Sequence, residues 1–254
     1  MLLVAATTPL CAAAPDAGAV LQGGDVAYRR ALGPAASARK LNNDATSGVR
    51  ARRIVTRLVV GAPAIDPAAR DFAWAVNLVA DPTPAVTVYP GGRLLVHDAL
   101  LSQTGLADDE VAAILAHMIA HSLLGHDTAR VVERAGADFT AADPNRRVLA
   151  VADASAAVLP SVRYTPEEID AADRESVQLM ARGGFDPRAA GSAWRRMRSA
   201  RSIADRAPIT EVRLATLDAA IRDAIPLYED TRARAAGEAA MQRPPMAGPQ
   251  RSIR

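Results

Sequence analysis

Residues Ala113–His126 read AILAHMIAHSLLGH. Outside the three histidines and Ser122 every side chain is apolar or absent, a pattern that predicts a helix buried on most sides. His117 and His121 lie four apart, so they project from one face of that helix and can present ring nitrogens to one ion. Beside the first histidine stands Met118. A thioether neither takes a proton at neutral pH nor orients a water, so this neighbour offers the pair no acid–base help.

Working outward, Asp108, Asp109 and Glu110 fall in the first turn of the same helix, where the helix dipole favours negative charge, and the pattern carries the helix to about Ala135. Asn145 to Ala157 is a second apolar helix ended by Pro160. Thr165, Pro166 and Glu168 make a capping box with proline at the first helical position, predicting a third helix that stops at Gly183 and Gly184. Asp186 and Pro187 open a fourth in the same way, and a fifth covers roughly Thr210 to Ala224. Upstream, Ser47 to Val60 has helical spacing, with Gly61 to stop it. Phe72 to Ala80 alternates in strand period, and Ala85 to Tyr89 and Arg93 to Val96 read as two strands around Pro90, Gly91 and Gly92. The expected fold is α+β, mostly helical with a small β-sheet, as one domain over residues 23–240.

The chain has 254 residues, half of them apolar, enough for a sizeable core. Net charge is only +2, and the basic residues are arginines interleaved with Asp and Glu, Lys40 being the single lysine. No basic face for nucleic acid is expected. The opening MLLVAATTPLCAAA is apolar and ends in small residues like a signal-peptide cleavage region, although the basic start is missing. Residues 1–22 therefore read as a signal-like or leader segment, and Ala12 to Ala45, with one short helical stretch around Val26 to Leu32, as wrapped or mobile; a buried N-terminal helix is the alternative. Cys11, the only cysteine, lies inside the leader. No later segment reaches the ~20 apolar residues of a membrane span. Residues 241–254, rich in proline and polar side chains, read as a disordered tail. The expected location is the periplasm or cell envelope, and the sequence leaves the oligomeric state open.

From about Phe72 to Arg213 the chain resembles metallopeptidase family forty-eight, the zinc endopeptidases that include CaaX prenyl proteases, Oma-type mitochondrial proteases and HtpX-like enzymes. The resemblance is carried by the PGG turn with LLVHDALL, by DDEVAAILAHMIAHSLLGH against DELAxVLAHExGHxxxxH, and by YTPEEIDAADRESVQLMARGGFDPRAA against YSRxxExxADxxGxxLMxxAGYDPxA. It implies a zincin fold of the gluzincin type. It also implies that the zinc histidines fall on His117 and His121, the general-base glutamate on Met118 and the third-ligand glutamate on Ile169. The supporting aspartate falls on Asp173, a further histidine on His126 and a later arginine on Arg213. The family's THP stretch reads Arg206, Ala207 and Pro208, and the glycine before its second histidine is Ala120.

Both catalytic carboxylates are thus apolar here. Two glutamates buried without a cation would repel each other and lose their hydration, so their joint replacement fits a pocket stable without metal. Asp173 reads as an orienting partner or a substitute ligand. His97, after the PGG strand, reads as a polar structural residue. The edge strand that the resemblance implies for substrate pairing falls on Ala85, Val86, Thr87, Val88 and Tyr89, and strand addition needs main-chain groups rather than a metal. The expected function is a catalytically impaired pseudopeptidase that binds extended or unfolded polypeptide or an envelope partner. The alternatives are an active zinc endopeptidase with an atypical ligand set and a purely structural interaction protein.

Overall fold

A computed structural model of the chain describes residues 16–198 and 208–241. Its elements run α1 (Ala17–Ser37), α2 (Ala45–Leu58), β1 (Ala75–Val79), β2 (Val86–Tyr89), β3 (Arg93–His97), α3 (Ala99–Ser102), α4 (Asp108–Leu123), α5 (His126–Ala135), α6 (Pro144–Val158), α7 (Pro166–Arg182), α8 (Ala189–Met197) and α9 (Glu211–Met241). Helix dominates, with one three-stranded sheet, as the hydrophobic periods require.

The histidine helix is the centre. Every residue of α4 from Glu110 to Leu123 is buried, because α7, α8, α2 and the sheet surround it. Its start is fixed by Glu110, whose carboxylate accepts from the Ala107 N–H at 2.9 Å. The α7 start is the expected capping box: Thr165 Oγ1 accepts from the Glu168 N–H, and the Glu168 carboxylate accepts from the Thr165 N–H.

In the sheet β3 is central, parallel to β1 and antiparallel to β2, so β2 is an edge. Strand alternation divides its faces. Val76, Leu78, Val86, Val88, Leu94 and Val96 join the main core with α4, whereas Tyr89 and Leu95 belong to a second cluster under α1 and α6.

Several sequence expectations change. Ala12 to Ala45 is no mobile wrap from Asp16 onward: Asp16 caps α1, which packs along α6 and over the sheet, burying Ala19, Val20, Ala27 and Tyr28. Residues 17–22, expected in the leader, are therefore the first turns of a docked helix, while residues 1–15 lie outside the described residues. The close approach needs Gly24, where an added Cβ would stand 2.4 Å from the Pro90 carbonyl oxygen. Tyr28 completes the docking, its hydroxyl donating to the Leu94 carbonyl and accepting from Asn77 Nδ2.

The first strand is shorter than Phe72 to Ala80, since Phe72 and Trp74 precede it and pack on each other. The last helix extends well past Ala224, to Met241, so the expected tail loses its first residue and 242–254 lie outside the described residues. The helix expected to reach Ala135 breaks at Gly125, which takes φ +75°, and a new helix starts at His126. Among the described residues no helix is long and apolar enough to cross a membrane.

Candidate active site

The break at Gly125 turns His126 back toward the histidines of α4. His117 and His121 face each other through Nε2 at 3.1 Å, and His121 Nδ1 stands 2.8 Å from His126 Nδ1. Both α4 histidines are 0% exposed. On the far side of His117, its Nδ1 is 2.8 Å from Asp173 Oδ1. Asp173 comes from α7 and is clasped in turn by Arg213 of α9, whose Nε and Nη2 donate to its two oxygens at 2.8 and 3.0 Å. Asp173 thus stands where a carboxylate orients a histidine through its second nitrogen, away from His121.

Aromatic rings set the planes of the imidazoles. Tyr164 stacks on His121 with centroids 3.5 Å apart, and Trp194 of α8 meets His117 edge-on at 5.0 Å. The Tyr164 hydroxyl donates to Asp127 Oδ1 at 2.5 Å, and Arg130 lies over the same ring while forming a two-pronged pair with Glu168. Tyr164 and Trp194 had no role in the sequence reading. Tyr164 could have been noticed as the aromatic directly before the α7 cap, whereas nothing in the spacing connects Trp194 to His117.

Electrostatics follow burial. Loss of hydration pushes the His121 pKa far below the usual histidine value, helped by the neighbouring His117 and His126. Burial also lowers that of His126, against the pull of Glu168. For Asp173 burial alone would raise the pKa, but His117 and Arg213 outweigh it and hold the carboxyl below its ordinary value. Asp127 has less support: burial drives it up to about 6 despite the Tyr164 hydrogen bond.

The remaining predicted residues fall as follows. Met118 is 2% exposed and part of the main core. Ile169, 7% exposed, packs with Val162 and Tyr164 in a small cluster beside the histidines. His97 is apart from the site, bonded through Nδ1 to the Thr83 carbonyl at 2.8 Å. Ala85 precedes β2, and its carbonyl accepts from the His97 N–H. That register makes Thr87 and Tyr89 the residues bonded to β3, so the main-chain groups of Val86 and Val88 point to the outer edge. Val88 is only 1% exposed, and the turn Leu159–Ser161 lies against the strand. The Tyr89 side chain faces away from the histidines and meets Tyr28 edge-on.

This arrangement, a buried helix with paired histidines braced by an Asp–Arg pair from two later helices, defines a mostly helical α+β protein of the metallopeptidase class. The chain matches peptidase family M48 over residues 50–221, more than half its length, and belongs to that family. The match begins in α2 and ends in α9, leaving α1 outside it. The mitochondrial metalloendopeptidase OMA1 of Schizosaccharomyces pombe is 31% identical over 142 residues, covering 51% of this chain and 39% of that protein. The chain thus matches less than half the length of this relative.

Peptidases of the family are zinc-dependent, which makes zinc the ion to test against these residues. Two imidazole nitrogens sharing a tetrahedral zinc stand roughly 3.3 Å apart, so the 3.1 Å between the Nε2 atoms suits a metal as well as a hydrogen bond. The third donor decides. The position that the resemblance implies for it, Ile169, is hydrocarbon, and His126 faces the opposite ring nitrogen of His121. Among the described residues no group of three histidine, cysteine or acidic side chains could hold an ion. The described residues do not complete a three-ligand zinc centre.

Proposed function

We propose that this chain is a pseudopeptidase, a member of the family that binds extended polypeptide without cutting it efficiently, and that it works in the periplasm or cell envelope. The observation that carries the reading is Ile169, packed on Tyr164 and Val162 where the third carboxylate ligand would stand. Met118 adds to it, since a buried thioether in the main core cannot take the proton of an attacking water. Loss of a general base alone lowers rate by about 10² to 10⁴.

Polypeptide binding would use the outer edge of β2. Val86 and Val88 direct their N–H and C=O groups there, the arrangement that adds a strand through main-chain hydrogen bonds. A bound segment would displace the Leu159–Ser161 turn from that edge.

A second reading, an active zinc endopeptidase with an atypical ligand set, draws on the 3.1 Å separation of the two Nε2 atoms and on the retained Asp173 brace.

Incubation of the full chain with casein separates these readings. Capture of uncut casein, weakened by Val86→Pro, supports the proposal, because proline there removes an outward N–H and spares the ladder to β3. Cleavage abolished by a chelator overturns it in favour of the enzyme. Absence of any binding overturns it in favour of a structural protein.

A further inference from the structure

We propose that His117, His121 and His126 form one hydrogen-bonded string with a single direction, each ring donating toward Asp173, so that the Nε2–H of His121 fills the space between the paired histidines that an ion would take. The proposal rests on the pseudopeptidase reading, because it describes the histidines without metal.

A neutral imidazole carries one N–H and one bare nitrogen, and two ring nitrogens at hydrogen-bond distance need one proton between them. The string can therefore be read from its buried end. Asp173 accepts from Arg213 on both oxygens, is held ionised by Arg213 and His117, and places Oδ1 2.8 Å from His117 Nδ1; a carboxylate can only accept, so the proton of His117 sits on Nδ1. That leaves His117 Nε2 bare. The 3.1 Å contact then takes its proton from His121 Nε2, which leaves His121 Nδ1 bare. The 2.8 Å contact beyond takes its proton from His126 Nδ1. Once the first proton is placed, no choice remains at the other two rings.

The surroundings favour this order. In an unbroken helix His126, five residues beyond His121, would lie about 140° around the axis. The left-handed Gly125 removes that separation and supplies the outermost ring. Stacked Tyr164 fixes the plane of His121, and edge-on Trp194 fixes that of His117, so neither ring can turn freely to exchange its nitrogens. A zinc ion needs bare Nε2 atoms on both α4 histidines. Binding it would oblige His121 to move its proton to Nδ1 and His126 to move its own to Nε2. The string thus opposes the ion by hydrogen-bond direction, in addition to the missing third ligand. His126 acts here as a positioning residue for His121.

Nuclear magnetic resonance of the ring nitrogens in the full chain tests this, with only four histidines to assign, His97 among them. In zinc-free buffer the expected pattern is a proton on Nδ1 of His117, Nε2 of His121 and Nδ1 of His126. In His126→Phe the Nδ1 signal of His121 should move to that of a bare, unbonded nitrogen while the His117 pattern persists, a change that a purely space-filling His126 would not cause. Should His126→Phe fail to fold, the wild-type pattern alone decides. A proton on Nδ1 of His121 in the wild type overturns the string and leaves the pseudopeptidase reading standing. Zinc chloride added to the wild type should leave both Nε2 signals in place. Their joint shift to metal-bound values would overturn the pseudopeptidase reading, whatever the starting pattern.

Discussion

The ring of Tyr164 lies against that of His121 with centroids 3.5 Å apart and planes inclined by only 13°. Val162 and Ile169 pack with Tyr164 in one small cluster, and its hydroxyl is tied to Asp127. The position that the resemblance implies for a third carboxylate is thus part of a hydrocarbon cluster, joined through Tyr164 to the His121 imidazole.

The Asp173–Arg213 pair should be required for folding. Both side chains are almost wholly buried, and removing one partner of such a pair leaves an uncompensated charge, which costs about 3 to 5 kcal/mol. Urea denaturation of Arg213→Leu at neutral pH should show a loss of that size, with Asp173→Leu/Arg213→Leu less affected than either single variant. The contribution of Asp173 is present at neutral pH. It disappears as pH falls through the depressed pKa of the folded state.

Asp127 should act with the opposite sign. Folding raises its pKa from 3.8 to about 6, so stability is greatest where the group is protonated in both states and declines as pH rises through that interval. Asp127→Asn keeps an acceptor for Tyr164 and removes the charge. Denaturation at pH 7 should find the variant more stable than wild type by roughly 2 kcal/mol, and the two should converge near pH 4.

Restoring the carboxylates should restore an ion site. Met118→Glu/Ile169→Glu places two acids beside the histidines, and without metal their burial and repulsion should lower the melting temperature. Zinc at about a hundredfold excess over its dissociation constant should return roughly 2.7 kcal/mol, read as a rise in melting temperature that wild type lacks.

Docking of α1 should depend on Gly24. A Cβ there meets the backbone of Pro90, which cannot swing aside as a side-chain tip would. Gly24→Ala should lower stability by about 1 to 3 kcal/mol in thermal unfolding, while Gly33→Ala, with open space around it, should not.

Much of this structure was legible in local patterns. The α7 start was written in Thr165, Pro166 and Glu168, and the buried α4 in its unbroken apolar run, because caps and periodicity act within a few residues. The break at Gly125 was not, since one glycine in an apolar stretch is also tolerated inside a helix. The docking of α1 was hidden too: only a short helical stretch around Val26 to Leu32 shows in the pattern, and the alanine and glycine before it read as loose until the sheet they must approach closely is in view. At the site, helical spacing pointed to His117 and His121, and the family resemblance to Asp173 and Arg213. Tyr164 and Trp194 reach the histidines from other elements through tertiary packing. The orientation of His126 depends on the αL turn before it.

The zinc content of the purified full chain, measured by elemental analysis after dialysis against zinc and then against metal-free buffer, bears most directly on whether the hydrolytic centre is gone. Far less than one zinc per chain is expected, with no difference between wild type and His121→Ala. One tightly held zinc per chain, lost in His121→Ala, would contradict it.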